Sequence, residues 1–120
     1  MDILDLHSKK VCEKLLKDLR NVDHKEGSVE FFRQDNIKMI IWLFIMDSYG
    51  REKIINIEDI SREIAMTSKI SKPSLRLILE QAKEKNFIKF THNPNDSRSW
   101  IVEPESSSIT DFNTWTQKLI

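Results

Sequence analysis

The sequence is poor in residues that make turns and cross-links: its 120 residues include two glycines, three prolines and one cysteine. So few glycines and prolines argue against a turn-dense all-β fold and favour helices. The single cysteine, Cys12, excludes an internal disulfide, which fits a reducing cytoplasm. The longest apolar run, residues 37–46, is shorter than the roughly 20 residues that a bilayer needs. With no signal-like start to the chain, we expect a cytoplasmic protein without a membrane partner.

Motifs of catalysis and cofactor binding are also missing. The sequence has no glycine-rich phosphate loop, no nucleophile elbow and no paired carboxylates. His7, His24 and His92 have neither an i,i+4 histidine nor a cysteine partner at a spacing typical of metal sites. We therefore expect a protein that is not an enzyme, with no catalytic residue, no cofactor and no metal.

Charge is balanced over the whole chain, at 19 basic and 19 acidic residues, but it is unevenly distributed. Residues 60–100 carry eight Lys/Arg against four Asp/Glu, whereas residues 21–50 carry three against five. Nucleic-acid affinity depends on local neutralisation of phosphates and not on the net charge of the chain. The distribution leaves a nucleic-acid partner open.

Apolar periodicity in the first half predicts two helices. Residues 3–20 carry an amphipathic stripe that includes Cys12, for which burial is favoured over a role as a redox-sensing thiol. Residues 21–28 read as a loop. A buried helix over 37–47 is expected to begin at Asp35 or Asn36 and to end near Gly50. The side chains expected in its core are Trp42, Phe44 and Tyr49. Ile54 and Ile55 suggest one short strand.

The second half predicts two more helices and a hairpin. Asn56 and Asp59 have the spacing of a capping box, and residues 66–70 read as a connector. Ser71 precedes a helix to about Lys85, which has Pro73 in its first turn. The expected core face of this helix is Leu75, Ile78, Leu79 and Ala82.

Turn residues, β-branched runs and capping residues also predict the elements of the C-terminal part of the chain. Asn86 suits a left-handed position after the helix, and residues 87–91 and 99–102 read as strands joined by a polar loop. A last helix is expected near residues 106–108, with Ser108 and Asp111 in capping-box spacing ahead of an apolar face of Phe112, Trp115 and Leu119. The fold class is mainly α with a small antiparallel β-hairpin, a winged helix-turn-helix. One domain spans residues 1–120, with residues 56–102 as the helix-turn-helix and wing, and residues 3–20 and 108–120 as flanking, dimer-forming helices.

Residues 56–102 carry the expected function. The second helix of such a motif enters a major groove about 12 Å wide, while the first helix braces it. Lys72, Ser74 and Arg76 lie where base edges would be met, and Ser71 lies at a helix N-terminus suited to a phosphate. The predicted DNA-binding residues are Lys69, Ser71, Lys72, Ser74, Arg76, Leu77, His92 and Arg98.

Two of these predictions have open alternatives. Leu77 lies opposite the core face, so it either touches a thymine methyl or packs on a neighbouring loop. Arg98 either contacts the DNA backbone or minor groove or pairs with Asp96 to brace the wing.

Two stretches, residues 71–88 and 95–102, resemble the MarR-type winged-helix regulators, which have a recognition helix and then a wing with an Asp-x-Arg motif, here Asp96 to Arg98. Residues 108–112 also resemble the start of the next helix in that family. Three features depart from the family: Asn86 stands in place of a glycine, Ser97 in place of a basic residue, and the last helix is short, as in the staphylococcal accessory-regulator branch. The resemblance implies a homodimer that binds double-stranded DNA and leaves a small-molecule effector open.

The sequence therefore predicts a sequence-specific, dimeric transcriptional regulator. Two alternatives are a winged helix that serves replication or partition of a mobile element, and a winged helix used only for protein–protein contact. The sequence indicates neither the operator nor the direction of regulation.

Overall fold

A computed structural model describes residues 3–20, 27–96 and 98–119. Within these ranges the chain forms six helices and one two-stranded sheet. In chain order they are α1 (Leu6–Arg20), α2 (Gly27–Phe32), α3 (Asn36–Gly50), α4 (Ile57–Ala65), α5 (Lys72–Glu84), β1 (Ile88–His92), β2 (Trp100–Pro104) and α6 (Ser106–Gln117). No helix in the described ranges has the length and apolar character needed to cross a membrane.

The core is built around α3. Trp42 is fully buried and stacks on Phe32 of α2 at 5.4 Å between ring centroids. On its other sides Trp42 meets Phe112 and Trp115 of α6, at 5.0 and 5.4 Å. The apolar face of α6 that was expected to join a dimer interface is thus largely used inside the chain. Tyr49 was wrongly placed in the core, because it lies in the last turn of α3 and its side chain is 50% exposed.

Several helix boundaries agree with the sequence. Asp35 caps α3 by accepting the backbone N–H of Lys38 at 2.8 Å, and Asn56 forms a reciprocal capping box with Asp59 at the start of α4. Ser71 caps α5, with Pro73 in the first turn. Asn86 has φ 61°, the left-handed conformation that asparagine tolerates better than most residues.

The hairpin is antiparallel, and its register pairs His92 with Trp100 and Ile88 with Pro104. Ile54 and Ile55 do not form the expected strand. Instead the Ile55 carbonyl accepts a single bond from the Val102 N–H at 2.9 Å, on the edge of β2 that faces away from β1. Pro104 lies two residues further along this outer edge and has no N–H to offer.

Helix α2 was not predicted. Residues 21–26 of the expected loop lie outside the described residues, but Gly27 and Ser28 belong to the first turn of α2. This helix has six residues, too few to show a helical period, and its side chains are buried by α3 and α6 and not by a stripe of its own. Tertiary packing determines that this segment is helical, and such packing leaves no pattern in the local sequence.

The predicted capping box at Ser108 and Asp111 is wrong. Helix α6 begins at Ser106, and the Glu105 side chain makes no capping bond. Ser108 is buried, and its hydroxyl donates to the Phe87 carbonyl at 2.6 Å. The Asp111 carboxylate accepts the Ser28 hydroxyl at 2.6 Å. Both residues bind distant parts of the chain instead of their own helix end.

Helix α1 extends from the rest of the molecule and has no buried residue. The expected burial of Cys12 is therefore wrong within the single chain, where its thiol is exposed. The backbone N–H of Ser8 binds the Asp5 carboxylate at 2.8 Å at the start of the helix, and this bond lowers the pKa of Asp5. Near its other end, Asp18 accepts the Trp115 indole N–H at 2.9 Å and pairs with Arg33 at 3.3 Å.

Candidate nucleic-acid interface

The packing of α4 against α5 determines which face of α5 reaches solvent. Ile60 and Ile64 of α4 are buried, as are Leu75 and Leu79 of α5. Because these side chains fix one side of α5 on the core, the opposite side is presented outward. This arrangement is the one expected of a helix-turn-helix, in which the first helix supports the second.

All the predicted residues of α5 and its cap lie on its exposed surface. Ser71, Lys72, Ser74 and Arg76 are exposed, and so is Lys69 in the connector. Leu77 is 59% exposed, since two residues after the buried Leu75 the helix has turned by about 200°. It lines an open groove with Pro73 and does not pack into the core.

Each basic side chain in the first half of α5 has an acidic partner. Lys72 Nζ lies 3.5 Å from Glu58 Oε2 of α4, and Arg76 Nε lies 3.5 Å from Glu80 Oε1 one turn later. These side chains remain between 40% and 74% exposed. Such exposed pairs contribute only about 0–1 kcal/mol, so both cations can exchange their partners readily.

At the tip of the wing, backbone contacts shape the turn. The Asp96 carboxylate accepts the backbone N–H of Arg98 at 3.0 Å. Of the described residues, none forms an ion pair with the Arg98 side chain. Asp96 therefore braces the turn through the main chain and leaves the exposed Arg98 guanidinium available. Ser97, between them, lies outside the described residues.

His92 and Trp100 form the last strand pair before the loop of the wing. Their rings meet edge to face at 5.5 Å between centroids, and Trp100 remains 43% exposed. His92 is exposed at the last position of β1, with its Nδ1 3.1 Å from the Asn93 carbonyl oxygen.

The structure brings α5 and the wing together at one small cavity. This cavity, of about 260 Å³, is lined by Arg76 of α5, Glu58 of α4, and Arg98 and Trp100 of the wing. A larger groove of about 610 Å³ adjoins it between α4 and α5, and Glu58 and Arg76 line both. Of the predicted residues, Arg76 and Arg98 thus share a site, whereas neither cavity is lined by Lys69, Ser71, Ser74 or His92.

Sequence reasoning missed Glu58, Glu80 and Trp100. In the sequence, Glu58 is recognisable only as an acidic residue in the first turn of α4. The helix dipole is enough to explain an acidic residue there, so its sequence position does not mark Glu58 as part of a site. Glu80 is recognisable as the i+4 partner of Arg76. Trp100 is exposed on β2, next to the buried Ile101. The sequence offers one signal for it, which is an aromatic residue close to the Asp-x-Arg turn.

The exposed side of α5 and the wing carry groups that suit binding to a nucleic acid. In the described part of the chain, no group of three or more His, Cys, Asp or Glu side chains is placed to hold a metal ion. The surface offers the N-terminus of α5, the hydroxyls of Ser71 and Ser74, and a flanking hairpin, together with four exposed basic side chains: Lys69, Lys72, Arg76 and Arg98.

No family model and no curated protein of similar sequence matches the chain. Several solved structures are similar to the chain in fold. Apo MarR from Escherichia coli aligns with a TM-score of 0.59 at 14% identity, over 98% of this chain and 78% of that one. Staphylococcus aureus MepR in a DNA complex gives 0.61 at 15% identity, over 94% and 78%. NadR in complex with 4-hydroxyphenylacetate gives 0.61 at 12% identity, over 99% and 74%. The chain therefore has the winged-helix fold of the MarR-type regulators, as the sequence resemblance predicted.

Proposed function

We propose that this protein is a sequence-specific, double-stranded-DNA-binding transcriptional regulator that acts as a homodimer. The observation that carries the proposal is the shared surface of α5 and the wing. Arg76 and Arg98 line one cavity, although they are 22 positions apart in the sequence. A duplex that receives α5 in its major groove would meet the wing at its side.

The exposed residues of α5 suit different kinds of DNA contact. Arg76 points out from the second turn, and its planar guanidinium suits the two acceptors on a guanine edge. Lys72 lies at the helix start and suits a phosphate, together with Ser71 and the free N–H groups of the first turn. Leu77 is exposed in the adjoining groove, where an apolar side chain suits a thymine methyl.

The structural neighbours support the class of partner. The MepR structure is described as a DNA complex, and it has the same fold over most of this chain. NadR is described with a small organic acid bound. For this chain we assign no effector.

The homodimer is proposed from α1. Leu15, Leu16 and Leu19 lie on one face of this helix and are 42%, 45% and 63% exposed. With Val11 and Cys12 they line a single open cavity. A contiguous apolar face of this kind is costly to leave in water, and a second copy of the same face would cover it in a two-fold interface.

Selection of bound sequences from a random duplex pool tests the function. We expect enrichment of a two-fold motif, and we expect Arg76→Ala to lose the preference at one base pair of each half-site. Binding should weaken steeply between 50 and 200 mM salt, by roughly a thousandfold or more for 6–10 phosphate contacts. No enrichment by the parent protein would contradict a regulator and favour a protein–protein role.

A further inference from the structure

The charged residues of the α4–α5 groove neutralise one another. Those that line it in the described part of the chain are Glu58, Lys72, Arg76 and Glu80, two acids and two bases. Each acid lies 3.5 Å from one of the bases. A surface meant only to attract DNA phosphates would gain from basic residues alone, so the acids require an explanation.

Glu58 has the more informative position of the two acids. Glu80 is one turn from Arg76 on the same helix, which is an ordinary helical pair. Glu58 instead comes from α4 and reaches across to Lys72 on α5. It also lines the cavity that Arg76 of α5 and Arg98 of the wing share, so Glu58 adjoins both elements.

We infer that Glu58 is a specificity-determining residue, which keeps Lys72 from binding DNA phosphates indiscriminately. The inference rests on the proposed function. On random DNA, Lys72 can bind a phosphate only by leaving Glu58, and the released carboxylate then faces a polyanion. On the correct sequence, α5 enters the groove fully, where a carboxylate can accept a hydrogen bond from the exocyclic amino group of a cytosine.

Two properties of the pair make this exchange feasible. Lys72 and Glu58 are 74% and 61% exposed, so neither group is locked by burial. The attraction of such a pair is weak enough that its loss changes an affinity by up to about fivefold. Glu58 thus adjusts the ratio of specific to non-specific binding without preventing either.

The test compares Glu58→Gln with the parent on a selected duplex and on a random duplex of equal length, across a salt series. Glu84→Gln is the matched control, because it removes the same charge from the exposed end of α5, outside both cavities. We expect Glu58→Gln to bind random DNA about two to five times more tightly, with the salt slope steeper by up to about one unit. Affinity for the selected duplex should stay constant or fall, so the specificity ratio falls.

Three outcomes would overturn the inference. If Glu58→Gln and Glu84→Gln raise the affinity for both duplexes by the same factor, Glu58 acts only through net charge. If the parent prefers the selected duplex and Glu58→Gln leaves the ratio unchanged, the inference alone fails. If the parent binds neither duplex, the proposed function fails and the inference fails with it.

Discussion

Asp18 joins α1 to the rest of the chain through two side-chain contacts. Its carboxylate accepts the Trp115 indole N–H and pairs with Arg33, and the Asp18 and Arg33 side chains are only 7% and 11% exposed. Removal of one partner from a buried ion pair typically costs about 3–5 kcal/mol. The Asp18 carboxylate therefore contributes to the position of α1.

The wing offers a residue-scale prediction about DNA contact. Arg98→Ala should weaken binding to a selected duplex with A·T-rich flanks, because a narrow minor groove attracts arginine, and should barely move the melting temperature. Asp96→Ala should lower stability by about 1 kcal/mol, because it removes the acceptor for the Arg98 N–H. Binding titrations with A·T or G·C flanks, together with thermal melts, separate the two roles. If Arg98→Ala binds both duplexes as tightly as the parent does, the wing does not read DNA.

At the scale of elements, Asn56 connects the helix-turn-helix to the wing. Its side-chain oxygen accepts the Asp59 N–H at 2.9 Å, and its side-chain amide donates to the Ser99 hydroxyl at 3.1 Å. Asn56 also forms a bridge with Ile101 of β2. One residue therefore starts α4 and holds the hairpin against it.

Substitution of Asn56 should separate these two contributions. Asn56→Ala should lower the free energy of unfolding by about 0.5–2 kcal/mol, the usual cost of losing an N-cap. Asn56→Ser should cost less, because it keeps an acceptor for the Asp59 N–H and loses only the bond to Ser99. Urea denaturation of both variants measures the difference. Equal losses would show that the cap is not the source of stability.

The elements that the sequence predicted are those with local signals. The capping box at Asn56, the Ser71 cap with Pro73, and Asn86 after α5 each depend on residues within a few positions, so they could be read directly. Helix α2 depends on packing against α3 and α6, and the roles of Ser108 and Asp111 depend on contacts 21 and 83 positions away. Serine and aspartate three residues apart give the same pattern whether they cap a helix or bind a distant strand end.

The features of the candidate site likewise divide into those that local sequence predicts and those that depend on tertiary packing. The exposed face of α5 follows from helical periodicity around Leu75 and Leu79, so Lys72, Ser74, Arg76 and Leu77 could be predicted as exposed. The pairing of Lys72 with Glu58 could not, because it depends on how α4 crosses α5. The shared cavity of Arg76 and Arg98 likewise depends on where the wing folds back.

At the scale of the whole molecule, the chain is elongated. Its radius of gyration is 16.1 Å, and its extents are 57 × 31 × 26 Å. A compact domain of this length would have a radius of gyration of about 13.6 Å. The excess agrees with an α1 that buries no apolar residue and leaves its leucines in water.

The exposed face of α1 gives the prediction for assembly. Leu19→Glu should convert the proposed dimer to a monomer, because one buried leucine contributes about 1.5–3 kcal/mol and a two-fold interface loses two. The fold should persist, since Leu19 is 63% exposed in the single chain. Light scattering at micromolar concentration measures the mass. Lys10→Glu, on the opposite face of α1, is the control and should leave the dimer intact; a parent protein that is already monomeric would refute the dimer.

Pro104 has a consequence for how copies of this protein avoid one another. A two-stranded hairpin that projects from a domain has free edges, which are templates for aggregation. On the outer edge of β2, the Val102 N–H is already bonded to Ile55, and Pro104 has no N–H. A strand from another copy would therefore find no free N–H at these two positions, so this part of the outer edge cannot extend the sheet.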